Sequence, residues 1–349
     1  MEIKKIPHFI MDFASELFGI MPNGAAVYSC VLINRNGMQL KVINYGATIT
    51  SLKIPLDKDK IVDVVLGFDN LEGYLKSFDL ESAPYLGATI GRFAGRINNG
   101  TFELNGKIFG LNINNNIHSL HGGNLGFSKV VWDIKSINHG DNPSITLVYS
   151  SQNNDENYPG DLSVELTYTL SEENELIIEY HATSTEDTIV NLTHHSYFNL
   201  DGHYSDVSNL EMSINSKEIL ETTNENIPTG KFLDVANSSF DFLSFKKCPA
   251  KIDTTFILNK DKKLAASLFS EKNKVKMSVY TDQPAVHIYV GGNCEAIKGK
   301  ENMLYHSLSG ICFETQNFPD APNHKHFPSS VLKKNAIYGQ KTIYKFEIF

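Results

Sequence analysis

Residues 161–184, DLSVELTYTLSEENELIIEYHATS, decide the fold class. In the first half Leu162, Val164, Leu166 and Tyr168 alternate with Ser163, Glu165, Thr167 and Thr169. Successive side chains of a strand point to opposite faces, so a period of two means one face buried and the other wet. The run ELIIEYHATS is equally β-prone, and the polar Ser171 to Asn174 between the two reads as a turn.

The same reading extends outward. Upstream lie VVWDIKSI and SITLVYSS, and before them residues 26–34 and 38–44 flank an Asn36-Gly37 hairpin signal. Residues 47–54, closed by Pro55, and 61–67 follow as strands. Residues 101–104 and 107–111 flank a second such turn at Asn105-Gly106. Downstream, strands are expected at 209–214, 276–281, 285–290, 310–316 and 341–349. Helical turns are expected only at 13–18 and at 70–78, which bears Tyr74, and no periodic helix longer than about 10 residues stands out. Glycines at 87, 91, 95, 100, 106 and 110 suggest tight bends, or backbone pressed near a ligand. Strands at such short spacing predict an all-β protein, a large antiparallel β-sandwich or barrel. Residues 26–349 form one domain in this reading, and residues 1–25 a lead-in segment.

Composition narrows the function. A chain of 349 residues needs no disulfide staples, and Cys30, Cys248, Cys294 and Cys312 form neither a C-x-x-C pair nor a dense framework. That usage fits a reducing, cytoplasmic setting. The first residues contain no signal-peptide apolar core, and no run of about 18 apolar residues predicts a membrane span. The net charge of -9, from 31 basic against 40 acidic residues without a basic stripe, argues against a nucleic-acid partner.

Phosphate-loop, dinucleotide, serine-elbow and H-E-x-x-H motifs are all missing, which removes most support for nucleotide, nicotinamide and serine-hydrolase chemistry. Two polar stretches remain. In NLTHHSYFNL, residues 191–200, strand alternation sends Val190, Leu192 and His194 one way and Asn191, Thr193 and His195 the other. His195 is therefore the candidate for exposed chemistry, and His194 for a buried structural role. In GICFETQ, residues 310–316, Cys312, Glu314 and Gln316 share one face while Ile311 and Phe313 pack on the other. A carboxylate in such company is either paired or desolvated towards useful basicity. Metal is the weaker reading. His194 and His195 point apart, and His118-x-x-His121 and His324-Lys325-His326 do not supply three ligands on defined elements.

Taken together, these stretches resemble a known family. NLTHHSYFNL, FETQNFPDA at 313–321, GRFAGRINNGTFELNGK at 91–107, SLHGG at 119–123, YPGDL at 158–162, IPTG at 227–230 and TDQPAVHIYVG at 281–291 look like aldose 1-epimerase, the galactose mutarotase family. NYGATITSL at 44–52 and LGFDNLEGYL at 66–75 fit it too, and the motifs run in family order from about Phe18 onward.

The resemblance implies a β-supersandwich with one sugar cleft, and an enzyme that interconverts the α and β anomers of free hexoses such as galactose and glucose. It casts His195 as general acid on the ring oxygen and Glu314 as general base on the C1 hydroxyl. Arg96, His121, Asp253, Gln283 and Tyr197 would contact the sugar. No cofactor or metal is implied; the partner is a free aldohexose, and the chain a monomer or dimer. The sequence departs from the pattern at His194 and Gly95, where the family often has asparagine. It departs again at 252–256, where IDTTF replaces the more usual F-D-H-x-F around Asp253. Two alternatives stand beside this reading. One is a carbohydrate-binding or sugar-sensing protein without turnover, against which retention of His195 and Glu314 counts. The other is a hexose-6-phosphate 1-epimerase, which calls for arginines at the cleft mouth, where Arg92 and Arg96 are the candidates.

Overall fold

The computed structural model describes residues 15–57, 59–259 and 263–349. The hairpin of residues 161–184 forms as the alternation requires. Leu162–Leu170 and Glu175–Ser184 pair antiparallel, with Leu166 opposite Tyr180 and Tyr168 opposite Ile178. They belong to a nine-stranded antiparallel sheet, ordered Asp133–Asn138, Ser144–Ser151, Leu162–Leu170, Glu175–Ser184, Ile337–Ile348, Val275–Thr281, Leu264–Ser270, Glu211–Ile214 and Lys246–Lys247. Among the described residues, the two halves of this sheet meet only through Ile337–Ile348.

A six-stranded antiparallel sheet runs Tyr197–Phe198, Ile311–Gln316, Ala285–Val290, Ile252–Ile257, Glu218–Thr222 and Pro228–Asp234. Its inner face, with Phe256, Ile288, Ile311 and Phe313, shares one apolar cluster with Val164, Leu166, Tyr168, Ile178 and Tyr180 of the larger sheet. Burying side chains of this size contributes roughly 1.5–3 kcal/mol each. Polar ties also cross the interface: the Tyr344 hydroxyl donates to the Phe313 carbonyl at 2.8 Å. A five-stranded sheet, Ser15–Ile20, Ala26–Ile33, Gln39–Ile43, Thr48–Asp57 and Lys60–Asp63, adds Leu32, Leu40, Ile49 and Leu52 to the same core. The protein is an all-β sandwich, as the alternation predicts.

The expected helical turn at 70–78 is a helix, Leu71–Ser77, capped by Asn70, whose side chain accepts from the Gly73 N–H at 2.9 Å. The expected turn at 13–18 is not helical where it is described. Ser15–Ile20 is a strand paired with Ala26–Ile33, and Phe13 and Ala14 lie outside the described residues. Sheet pairing supplies partners that local propensity does not encode. Residues 191–200 are buried throughout but do not make one continuous strand. Thr193–His194 pairs with Thr89–Ile90, and Tyr197–Phe198 pairs with Ile311–Gln316. Among the described residues no helix is long and apolar enough to cross a membrane.

Candidate active site

Three neighbouring strands make the floor of a cleft. Their register sets Thr255, His287 and Glu314 in one row and Asp253, Tyr289 and Cys312 in the next. Opposed residues on adjacent strands share a face, and with Phe256, Ile288 and Phe313 turned into the core these six turn away from it. Above this floor lies a cleft of about 720 Å³ lined by Glu314, Gln316, His287, Asp253, Arg96, His121 and His195.

The break in residues 191–200 aims its two histidines. The His195 N–H donates to the Ala88 carbonyl at 2.9 Å, and its own carbonyl accepts from the Gly87 N–H at 3.0 Å, which turns the ring to the cleft. His194 faces inward, with its ring 5.7 Å from that of Tyr168. Burial and the neighbouring His195 push it down to about 3, so it is neutral. His121 sits at φ 52, just before Gly122 at φ +87, where a Cβ would lie 1.9 Å from the Gly91 carbonyl oxygen. Only glycine fits there, and the turn it allows delivers His121 to the cleft.

His195 Nε2 and Glu314 Oε1 are 3.6 Å apart, and both side chains are buried. The His121 ring lies edge-on to that of His195, with centroids 5.6 Å apart. Burial, followed by the charges of His195, Arg96 and His287, holds His121 well below the usual histidine range. Its Nδ1 accepts from the Gly95 N–H at 3.2 Å, so the single ring proton of the neutral form is on Nε2. His121 thus presents an N–H donor.

On the opposite side the Asp253 carboxylate is held at both oxygens, by Asn226 Nδ2 at 2.9 Å and by His287 Nε2 at 2.9 Å. His287 Nδ1 lies 2.8 Å from Thr255 Oγ1. Burial alone would lower the His287 pKa, but the bond to Asp253 and its charge raise it above the usual value. Burial alone would raise that of Asp253, but His287 and then Arg96 lower it. Arg96 Nε donates to Asn115 Oδ1 at 2.9 Å, which fixes its guanidinium.

Among the described residues only His121, His195 and Glu314 gather metal-binding atoms, all within 4.8 Å of one another. A histidine that ligates a metal donates its other ring N–H outward. The other nitrogen of His121 instead accepts a backbone N–H, so the set suits proton transfer better than metal binding.

The aldose 1-epimerase family model matches residues 28–345. The chain belongs to this family. Its aldose 1-epimerase relatives include a galactose mutarotase from Bos taurus, 37% identical over 95% of this chain and 98% of that protein. An aldose 1-epimerase from Haemophilus influenzae is 35% identical over 93% and 97%. Among solved structures, an aldose epimerase homologue from C. elegans superposes with a TM-score of 0.82 at 30% identity, covering 92% of this chain and 99% of that one. A galactose 1-epimerase from Lactobacillus acidophilus gives 0.82 at 28%, covering 95% and 98%.

Within this aldose 1-epimerase, the structure brings His195, Glu314, His121, Arg96 and Asp253 to one cleft. Two residues expected to touch the sugar do not join them. Gln283 lies in the bend before Ala285–Val290, which carries it off the sheet; its amide donates to Asp282, and it lines a different cavity with Thr281, Lys333 and Tyr338. Tyr197 is buried behind His195, with ring centroids 5.2 Å apart, and does not line the cleft. Arg92 is not at the cleft mouth. Its guanidinium is buried and bonds the carbonyls of Ser151, Gln152, Pro159 and Gly160 and the Ser151 hydroxyl. His118, His324 and His326 are engaged elsewhere, by Asn99, Asp320 and Gly230. His287, Asn226 and Gln316 line the cleft without having been singled out as site residues. For His287 the signal was available: it is the polar residue on the inward-alternating run AVHIYV. The Gln316 Oε1 is buried without a hydrogen-bond partner among the described residues.

Proposed function

We propose that this chain is an aldose 1-epimerase that interconverts the anomers of free aldohexoses, with Glu314 as general base and His195 as general acid. One observation carries the reading: a buried carboxylate oxygen and a buried imidazole nitrogen 3.6 Å apart at the floor of a polar cleft. The reaction moves protons at two oxygens on one carbon, the C1 hydroxyl and the ring oxygen. Those oxygens lie closer together than the two catalytic atoms, so each can meet its own partner.

Glu314 takes the proton from O1 while protonated His195 gives one to the ring oxygen. The C1–ring oxygen bond breaks, the open aldehyde rotates about C1–C2, and closure from the other face reverses both transfers. After a full cycle each group has its starting proton count. A positioned acid or base is typically worth about 10²–10⁴ in rate. His121, through its Nε2–H, and Arg96 donate to sugar oxygens, while the doubly held Asp253 accepts from a hydroxyl. Such fixing of the ring relative to Glu314 and His195 lowers the entropy cost of reaction. The four cysteines are buried and unpaired, which supports a reducing, cytoplasmic setting.

The test is polarimetry on freshly dissolved α-galactose and α-glucose. Glu314→Gln and His195→Asn are each expected to lose most of the enzymatic rate; wild-type-like rates in either would overturn the assignment. Sugar binding without any acceleration by the wild-type protein would instead support the carbohydrate-binding alternative. Tight competition by hexose 6-phosphate would support the phosphorylated substrate.

A further inference from the structure

His118 opens the H-x-x-H stretch, and neither metal binding nor proton transfer uses it. Its side chain is buried, at 1% exposure. Nδ1 accepts from the Asn99 N–H at 3.1 Å, so the single proton of the neutral ring is on Nε2. That Nε2 is itself buried and makes no hydrogen bond of ordinary geometry among the described residues, but Glu225 Oε2 stands 3.5 Å from it. A buried donor without an acceptor is costly, and the Glu225 carboxylate is within reach to meet it.

The two partners come from different loops of the cleft. His118 closes a firm turn: its N–H donates to the Asn115 carbonyl at 2.9 Å, and the Asn115 N–H donates to the His118 carbonyl at 3.1 Å. The Asn114 amide braces the same turn, donating to the carbonyls of Leu120 and Gly123 and accepting from the Leu120 N–H at 2.7 Å. Asn115 in turn holds Arg96. Glu225 lies in the tip of the hairpin that joins Glu218–Thr222 to Pro228–Asp234, where residues 222–225 are exposed. Asn226 takes φ 59 there, a left-handed conformation that asparagine tolerates, and its N–H donates to the Thr223 carbonyl at 3.0 Å. The tip thus has two ties through neighbouring side chains: Asn226 Nδ2 donates to Asp253 at 2.9 Å, and Glu225 faces His118.

An ion pair with one half-exposed partner adds little to overall stability, so the consequence of this one lies in where it puts its neighbours. We propose that Glu225 is a positioning residue for the sugar site: by meeting the buried Nε2–H of His118 it ties the hairpin tip to the braced turn, and so sets Asn226, and through it the Asp253 carboxylate, against the sugar. With that tie cut, the tip moves more freely and takes Asn226 with it. His287 still holds one oxygen of Asp253, so the carboxylate stays in the cleft with a looser aim. Glu314 and His195 stand in Ile311–Gln316 and in residues 191–200, not on the hairpin, so the cost falls on binding and spares proton transfer. The inference rests on Asp253 being a residue that holds the sugar.

The test measures kcat and KM on galactose by polarimetry, and galactose Kd by calorimetry, for Glu225→Ala, Glu225→Gln, His118→Phe, Asn226→Ala, Asp253→Ala and the double variant of Glu225→Ala with Asn226→Ala. Glu225→Ala is expected to raise KM and Kd about threefold to tenfold, with kcat within about twofold and an unchanged urea midpoint. Glu225→Gln keeps an oxygen that accepts from Nε2–H and should stay within about twofold of wild type. His118→Phe, which keeps a ring and deletes the donor, should match Glu225→Ala; if it does not fold, the two Glu225 variants decide. Because Glu225 acts through Asn226, the double variant should bind within about twofold of Asn226→Ala alone. Unchanged KM and Kd in Glu225→Ala, a glutamine variant as impaired as alanine, or losses that multiply in the double variant would each overturn the inference. If Asp253→Ala weakens binding while Glu225→Ala does not, the inference alone fails. If Asp253→Ala binds galactose like wild type, the reading of Asp253 fails and the inference falls with it.

Discussion

Removing Glu314 and His195 together should cost little more than removing either alone. The Glu314→Gln change keeps shape and hydrogen-bonding capacity at a buried site while deleting the base. His195→Asn deletes the acid and leaves Tyr85 and Tyr197, whose rings contact that of His195 at 5.9 and 5.2 Å. Each single change should lose about 10²–10⁴ in kcat, or about 3–5 kcal/mol of barrier. If the two groups acted independently, the double variant would lose about 6–10 kcal/mol. The two groups lie 3.6 Å apart, and in the proposed mechanism they serve two oxygens of one carbon in a single proton cycle, so neither transfer would help without the other. The double variant should therefore fall within about tenfold of the worse single variant, a coupling of about 2–5 kcal/mol. Polarimetry of freshly dissolved α-galactose, with the spontaneous rate subtracted and enough enzyme to resolve the slow variants, measures all four corners of the cycle. Losses that multiply would refute the concerted use of the pair, even if each single variant were slow.

Three further outcomes follow from the geometry. Gln283→Ala should leave kcat/KM within about twofold, whereas Gln316→Leu should raise KM because it removes the unpaired oxygen facing the cleft; the reverse pattern would restore Gln283 to the sugar. The Asp253–His287 pair makes stability depend on pH. His287, raised by Asp253, contributes its stabilisation fully below the unfolded histidine value and loses it as pH rises through the higher folded value; Asp253, lowered, loses its own only in acid. Urea denaturation should show His287→Gln costing more at pH 6 than at pH 9, and an equal cost would refute the pairing. Arg92→Met strands four carbonyls, three of them buried, and should cost about 3–5 kcal/mol in urea denaturation; a normal denaturation midpoint with a rate defect would put the guanidinium at the substrate after all.

Much of this was legible because the physics is local. Alternation in 161–184 predicted the hairpin, and alternation in GICFETQ put Cys312, Glu314 and Gln316 on one face with Phe313 on the other, as the structure has them. Alternation also separated His194 from His195 correctly, although the strand there is broken in two. Long-range placement was less legible. Arg92 and Arg96 lie four residues apart in one motif, yet only the carbonyls of residues distant in sequence reveal that Arg92 is structural. The family resemblance implied that Gln283 and Tyr197 touch the sugar, and only the bend at 282–284 and the burial against His195 show that the two lie outside the lining of the cleft. Leu264–Ser270, sequence LAASLFS, has little β propensity of its own and becomes a strand because Val275–Thr281 and Glu211–Ile214 flank it. The imidazole against Asp253 comes from the neighbouring strand, a partner that the altered IDTTF motif does not announce.

The position of Ile337–Ile348 between the two halves of the large sheet has a consequence for biosynthesis. Glu175–Ser184 is finished early in translation but has no neighbour on that side until residue 337 has left the ribosome, a wait on the order of ten seconds. An unpaired strand edge in a nascent chain is a template for wrong partners. Glu175 and Glu179 stand along that edge, and their ion-pair partners, Lys345 and Lys341, arrive only with the late strand. The same carboxylates that repel intruders on the polysome then set the register in which the sheet is zipped shut.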